Sequence, residues 1–428
     1  MVIRGVPPRW APLIESTPMN SVALVLLFSL HATDGLVVRT PPLSARRRAL
    51  ILSTTSTMTA SSSSTAVKDF PAPPGALGPG FSFSVKHVEI EGVRIPVALW
   101  RPRPNSGAEG VEQETYKYVI DIGKIASRLN VQWLQWLPKF TYDLPVLQVP
   151  ASPLPSGCAR AQEGDAIVFA HGFLGSCLDM AHAAEALAQD GYTVVAPEMP
   201  ESLSATYVPP DGLTREQIIA RARDLACTEC GLPAASNRWG IFGHSAGAGS
   251  AISQGGSFAL GRCLLCPGYR GYEGDDPVFL VASDGDGVTQ LMASRGVVLR
   301  DVLGAETAAA SGGPQDHGWT FFASPEEAYA VGSGEGPPPK RGAFIFEEGR
   351  AALTQGERLP NHISFLWREV DEAMASLLAP LVPLAKLLGL FLLDFDVYLE
   401  ARDADATASR VVPAVRRFFA SNGKAAQR

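Results

Sequence analysis

The stretch Gly243-His244-Ser245-Ala246-Gly247 stands between an apolar run, Trp239 to Phe242, and a run of small residues, Ala248 to Ile252. A strand that stops, a serine between glycines and a helix that starts describe one sharp bend: the serine occupies a strained, exposed position, and glycines at both ends keep the backbone from clashing. A chain that contains this bend needs a sheet whose strands end at one open edge, with helices packed behind it. G-x-S-x-G is short enough to arise by chance, so its flanks carry the inference.

The rest of the chain supplies such a sheet. Val88 to Leu99 alternates and is broken by Glu91-Gly92, which predicts an antiparallel hairpin. Ile122, Ile125, Leu129, Trp133, Trp136 and Leu137 recur at helical spacing, so a helix is expected between Ile120 and Phe140, ended or kinked by Pro138. Short apolar strands are expected at Ala166 to Ala170, Thr193 to Ala196, Cys263 to Leu265, Val278 to Ala282 and Ala343 to Phe346. Helical segments fall at Met180 to Ala188 and Arg215 to Cys227. Strands alternating with helices imply crossover units, hence an α/β class: a doubly wound, mostly parallel sheet with helices on both faces. The Gly- and Pro-rich region 311–340 interrupts the alternation and is expected to be a surface insertion or lid.

A serine hydroxyl becomes a useful nucleophile when an imidazole takes its proton and a carboxylate fixes the imidazole tautomer. Two histidines follow Ser245: His317 in the Gly/Pro-rich region and His362 in Leu359-Pro360-Asn361-His362-Ile363, after the last expected strand. His362 is the candidate base and His317 an ordinary loop residue. The candidate acids, Asp284 and Asp286, both follow the strand Val278 to Ala282; register favours Asp286, with Asp284 as the alternative. Charge developing on a carbonyl oxygen needs N–H donors from the residue after the nucleophile and from the first strand-to-helix loop, which here are Ala246 and Phe173. His171, beside Gly172, is expected to shape that loop and not to carry protons.

Residues 81–428 are expected to form this one domain. The first 80 residues have another character. From Gly35 to Lys68 there is no Asp or Glu, Ser and Thr are dense, and Arg39, Arg46, Arg47, Arg48 and Lys68 are basic, while Val22 to Leu30 has the length of a signal h-region. Together they resemble the bipartite plastid presequences of algae with complex plastids, which makes a plastid the expected destination and the secretory pathway the alternative. A net charge of −7 offers no footprint for nucleic acid. Cys227 and Cys230, and Cys263 with Cys266, form two C-x-x-C pairs, but the second lies in an expected strand, where residues three apart face opposite sides. Buried free thiols are expected there, with no metal and no cofactor.

The order His171-Gly172-Phe173-Leu174-Gly175, then Ser202-Leu203-Ser204-Ala205-Thr206-Tyr207, then Gly243-His244-Ser245, resembles the α/β-hydrolase superfamily, and within it the secreted-type platelet-activating-factor acetylhydrolases; chlorophyllases share the layout and are the nearest rival. The likeness runs from Val88 to about Phe365. It implies a serine esterase releasing short or oxidised acyl chains from glycerophospholipids, without calcium or a cofactor. A chlorophyllase-type pigment-ester hydrolase and an inactive hydrolase fold that only binds an apolar ligand are the alternatives. One departure stands out: in the resembled family the acid follows the strand after the nucleophile helix, and the matching region Cys263 to Arg270 has no carboxylate. Either the acid has moved to Asp286 or the triad is incomplete. Peripheral membrane contact through Trp133 and Trp136 with Leu129 and Leu137, or through Leu377 to Leu393, is a further expectation, beside the commoner alternative that both pack on the core.

Overall fold

The computed structural model describes residues 80–103, 115–128, 135–146, 161–204, 207–232, 238–269, 271–283, 286, 303–304, 306, 318–329, 338–346, 360–378 and 404–425. Among the expectations above, residues 1–79, Asp284, Leu129, Trp133, His317 and 379–393 lie outside them.

The described residues open with the expected hairpin, longer at both ends: β1 (Phe81–Ile90) and β2 (Val93–Pro102) pair antiparallel. Glu91 and Gly92 both take positive φ, 51° and 76°, as a two-residue turn matched to strand twist requires. The helix expected between Ile120 and Phe140 is a correction. Thr115–Asp121 forms β3, only Ile122–Arg128 is helical among the described residues of that stretch (α1), and Lys139–Pro145 forms β4, antiparallel to β3 in a separate two-stranded sheet. Tyr116, Tyr118 and Ile120 alternate into the core, and that period of two outweighs the helical spacing downstream.

From there strands and helices alternate: β5 (Ala166–Ala170), α2 (Ala181–Gln189), β6 (Thr193–Pro197), α3 (Arg215–Cys230), β7 (Trp239–His244), α4 (Ala246–Ser253), β8 (Gly261–Leu265), β9 (Val278–Ser283), β10 (Thr320–Phe321) and β11 (Arg341–Phe346). A 3₁₀ turn (Ile363–Phe365), α5 (Arg368–Leu378) and α6 (Ala404–Ala425) close the chain. Strong local signals set the limits of α3. Thr214 and Gln217 cap each other reciprocally, and Gly231 turns left-handed at the far end.

The large sheet has nine strands in the order β1-β2-β6-β5-β7-β8-β9-β11-β10. β1 and β2 run antiparallel, and every pair from β6 to β10 is parallel. Disregarding the small sheet, the antiparallel second strand and the exchange of β6 with β5 are the signature of the α/β-hydrolase fold, and the protein has that fold. Strand residues feed two cores in turn: Ile167, Phe169 and Phe242 face one packed by Leu187, Phe418 and Phe419 of α2 and α6, whereas Val168, Ala170 and Ile241 face one packed by Ile218, Ile219 and Ala248 of α3 and α4. Burying both faces accounts for strands that are apolar throughout.

The region 311–340 is also corrected in part. Thr320–Phe321 adds an edge strand, and Trp319, Ala328 and Tyr329 are buried, so its described portion belongs to the sheet and core and not to a lid.

Candidate functional site

β5, β7, β8, β9 and β11 point their carboxyl ends the same way, and the loops leaving that edge carry the candidate residues. Past the end of β7, Ser245 takes φ 56° and ψ −119°, a conformation that costs a non-glycine residue about 1–3 kcal/mol. The surroundings impose it. Ser245 N donates to Leu265 O across to β8 (2.9 Å), and its own carbonyl accepts from Ala248 N at 3.0 Å as α4 begins. A Cβ at Gly243 would overlap the Gly247 carbonyl, and one at Gly247 would overlap the Ala170 carbonyl of β5, so both glycines are steric necessities. Ser245 is half-buried and Ala246 exposed, so the bend lies at the surface.

The imidazole comes from the turn before the 3₁₀ segment. Asn361 and Ser364 close this turn reciprocally: Asn361 N donates to Ser364 Oγ and Ser364 N to Asn361 Oδ1, each at 2.9 Å. Ser283, at the end of β9, donates to Pro360 O and ties the turn to the sheet. His362 Nδ1 lies 3.0 and 2.9 Å from the two Asp286 oxygens, with both side chains buried. An ionised carboxylate only accepts, so the imidazole proton sits on Nδ1 and Nε2 keeps its lone pair.

His244, expected only as part of the bend, has a part that spacing could not reveal. Its Nε2 bonds the carbonyl of His362 at 2.9 Å, and the two rings lie 4.6 Å apart. Burial and the neighbouring His362 push its pKa down to about 3, so it is neutral and donates its Nε2 proton to that carbonyl. The residue before Ser245 thus clamps the backbone of His362, bringing both to one edge of the sheet.

The donor candidates follow from the same bends. Neither Phe173 N nor Ala246 N is committed to a backbone acceptor among the described residues, and a Cβ on Gly172 would come within 3.2 Å of Ser245 Cβ. The Phe173 ring is 54% exposed. His171 is locked beneath the loop: Met199 N donates to its Nε2 at 2.8 Å, leaving Nδ1 to donate to Gly172 O at 2.8 Å. Arg215 donates to the His171 carbonyl and pairs with Glu201.

Below lies a buried polar layer with no sequence signature beyond residue type. Glu198 accepts from Ser176 Oγ (2.9 Å) and from Ser202, the first residue of the Ser-x-Ser motif. Despite its burial its pKa is lowered, by the His171 ring 3.5 Å away and by the Ser202 and Cys177 side chains beside it. Asp179, beside it, accepts from Tyr118 OH of β3 (3.1 Å), and burial raises its pKa to about 7.

His244, Cys266 and His362 offer ligand atoms within 4.8 Å of one another. Two of the three already have other bonds, His362 Nδ1 to Asp286 and His244 Nε2 to a carbonyl, so the group is not arranged as a ligand set. Cys266 lies one residue beyond β8 in a left-handed conformation (φ 48°), so the strand-face argument applied to Cys263 and Cys266 does not describe it. Both are buried free thiols. The apolar group expected at a lipid surface is divided: Trp136 is 67% exposed, whereas Leu137 is buried. Among the described residues no helix is long and apolar enough to cross a membrane.

No family model matches the chain, and no curated protein matches it. Among solved structures it is similar to an α/β serine hydrolase without a lid from Xanthomonas campestris, at 10% identity over 71% of this chain and 94% of that one, with a TM-score of 0.34. An esterase from Pyrococcus furiosus is similar at 10% identity over 71% and 91%, TM-score 0.34. A ferulic acid esterase from Streptomyces cinnamoneus is similar at 19% identity over 53% and 71%, TM-score 0.28.

Proposed function

We propose that this protein is a serine carboxylic-ester hydrolase working through an acyl-enzyme, with Ser245 as nucleophile, His362 as general base and Asp286 as the carboxylate that orients it. The observation that carries the reading is the contact of His362 Nδ1 with both Asp286 oxygens, at 3.0 and 2.9 Å, on the sheet edge where Ser245 is held in its strained bend. With Nδ1 engaged, His362 Nε2 accepts the Ser245 proton as Oγ attacks the ester carbonyl. The resulting imidazolium is stabilised by Asp286, and the N–H groups of Phe173 and Ala246 receive the oxyanion, at about 3 kcal/mol per donor. Collapse expels the alcohol, which takes the proton from His362. Water, activated by the same imidazole, then releases the acid.

The exposed Phe173 ring beside these donors suits an apolar acyl chain, and this supports a lipid-like ester, such as a short-acyl or oxidised glycerophospholipid, as substrate. A fluorophosphonate probe should label Ser245, identified by peptide mass. A panel of p-nitrophenyl esters, short-acyl phospholipid and chlorophyll separates the substrate classes: turnover of the phospholipid supports the lipid reading, and turnover of chlorophyll alone replaces it with a pigment esterase. A Ser245 unreactive to the probe removes the enzymatic proposal altogether.

A further inference from the structure

The turn that carries the Phe173 N–H is not self-supporting. Gly175 N donates to Gly172 O at 3.2 Å and closes it, but Leu174 within it takes φ 55°, a left-handed conformation that is costly for a residue with a Cβ. A turn strained in this way keeps a single orientation only where neighbouring groups fix it. The Gly172 carbonyl and the Phe173 N–H are the two ends of one planar peptide, and that peptide is trans, so they point in opposite directions. Whatever holds the carbonyl therefore aims the N–H.

His171 Nδ1 lies 2.8 Å from Gly172 O. The ring is fully buried, and Met199 N, just past the end of β6, donates to its Nε2 at 2.8 Å. In the neutral ring the proton is therefore on Nδ1, and a charged ring would carry one there as well, so Nδ1 donates in either state. Glu198 Oε2 stands 3.5 Å from Nε2, and the Ser176 and Ser202 hydroxyls bonded to that carboxylate wall the ring in. Gly175 leaves room for it: a Cβ there would overlap Asp179 Oδ2 and come within 3.1 Å of His171 Nδ1. Gly172 itself rests on the nucleophile bend, where a Cβ would reach within 3.2 Å of Ser245 Cβ.

We propose that His171 is a positioning residue for the oxyanion donor: from Nδ1 its ring holds the Gly172 carbonyl toward the core and so turns the Phe173 N–H of the same peptide toward the ester oxygen. The inference rests on the reading of Ser245 as nucleophile given above. No proton leaves the ring, and His171 touches neither substrate nor Ser245 Oγ in this role. Its contribution is to fix the donor before the charge develops, so that none of the stabilisation is spent on reorienting the turn.

Two amide side chains separate the ring nitrogens. An asparagine amide reaches where Nδ1 stands and a glutamine amide where Nε2 stands, so His171→Asn keeps a donor for Gly172 O, whereas His171→Gln keeps only the acceptor for Met199 N. On a p-nitrophenyl ester the Gln variant should lose about ten- to a hundredfold in kcat with KM little changed, because a whole donor is worth about 10²–10³ and this one is misaimed, not deleted. The Asn variant should keep most of the parent's rate. In the matching thionoester the charge develops on sulfur, a weak acceptor, so its hydrolysis draws less on the donor and the ester-to-thionoester rate ratio of the Gln variant should drop roughly tenfold. A residue that only supports the fold would lower both rates alike. Should the Gln variant not fold, His171→Ala removes the same donor and is read by the same ratio. Equal rates in the Asn and Gln variants, or an unchanged ratio in the Gln or Ala variant, overturn the proposal. If Ser245→Ala keeps the parent's activity, it is the triad reading that fails, and the two failures are distinguishable.

Discussion

Replacing Asp286 by asparagine tests the site with almost no change of shape, and its effect can be worked from the contacts. During attack His362 becomes an imidazolium whose charge lies about 4 Å from that of the carboxylate; at an effective dielectric near 20 this is worth about 4 kcal/mol. At 1.36 kcal/mol per decade, that alone is roughly a thousandfold in rate. A second effect acts in the same direction. The asparagine amide can present its NH₂ to Nδ1, which places the imidazole proton on Nε2, so that the ring can no longer take the proton of Ser245. Together these predict a fall in kcat of about 10⁴, with KM little changed. The assay is hydrolysis of a p-nitrophenyl ester across pH 5 to 9, with labelling by a fluorophosphonate as a parallel measure of nucleophile strength. Native-like circular dichroism excludes unfolding as the cause. A variant within tenfold of the parent by both measures would refute the reasoning, and the acid would then have to be sought at Asp284.

Other expectations follow from particular contacts. Ser245→Ala and His362→Ala should each lower turnover by about 10⁴ or more, and the double variant should be little worse, since the members act as a unit; additive losses argue against a shared step. Asp179 is raised from 3.8 to about 7 by burial, so the stability of its protonated form is fully present below about pH 4 and lost as pH rises through 7. Asp179→Asn should remove that dependence and stabilise the protein at pH 8, by at most about 4 kcal/mol, in urea titrations at pH 5 and 8; a variant that keeps the parent's slope contradicts it. Thr214→Ala should cost about 1 kcal/mol in the same titrations, because the Gln217 N–H at the start of α3 loses its 3.2 Å partner. Residues 1–80 fused to a fluorescent protein should carry it into a plastid, and a fusion that stays in the cytosol removes the proposed address.

Much of the fold was legible because its signals are local. An apolar strand buried on both faces needs neither partner nor register to be recognised. The Glu91-Gly92 turn lies within a few residues. The one strong misreading, Ile120 to Phe140, comes from the same cause in reverse: β3 exists because Tyr118 and Ile120 face Tyr142 and Phe140 on a strand twenty residues on, and helical spacing between them cannot register that pairing. Thr320–Phe321 is a similar case, a two-residue strand that exists only beside β11.

For the candidate site, the sequence by itself determined the kinds of group available: a serine in a bend that only glycines permit, a histidine after the last strand and an acid after the strand before it. Such features are encoded within a few consecutive residues, where sterics and turn chemistry act. Only the tertiary structure decided which atoms meet. His362 Nδ1 against Asp286 and His244 against the His362 carbonyl join residues from separate strand ends, and those distances depend on strand order and register across the sheet.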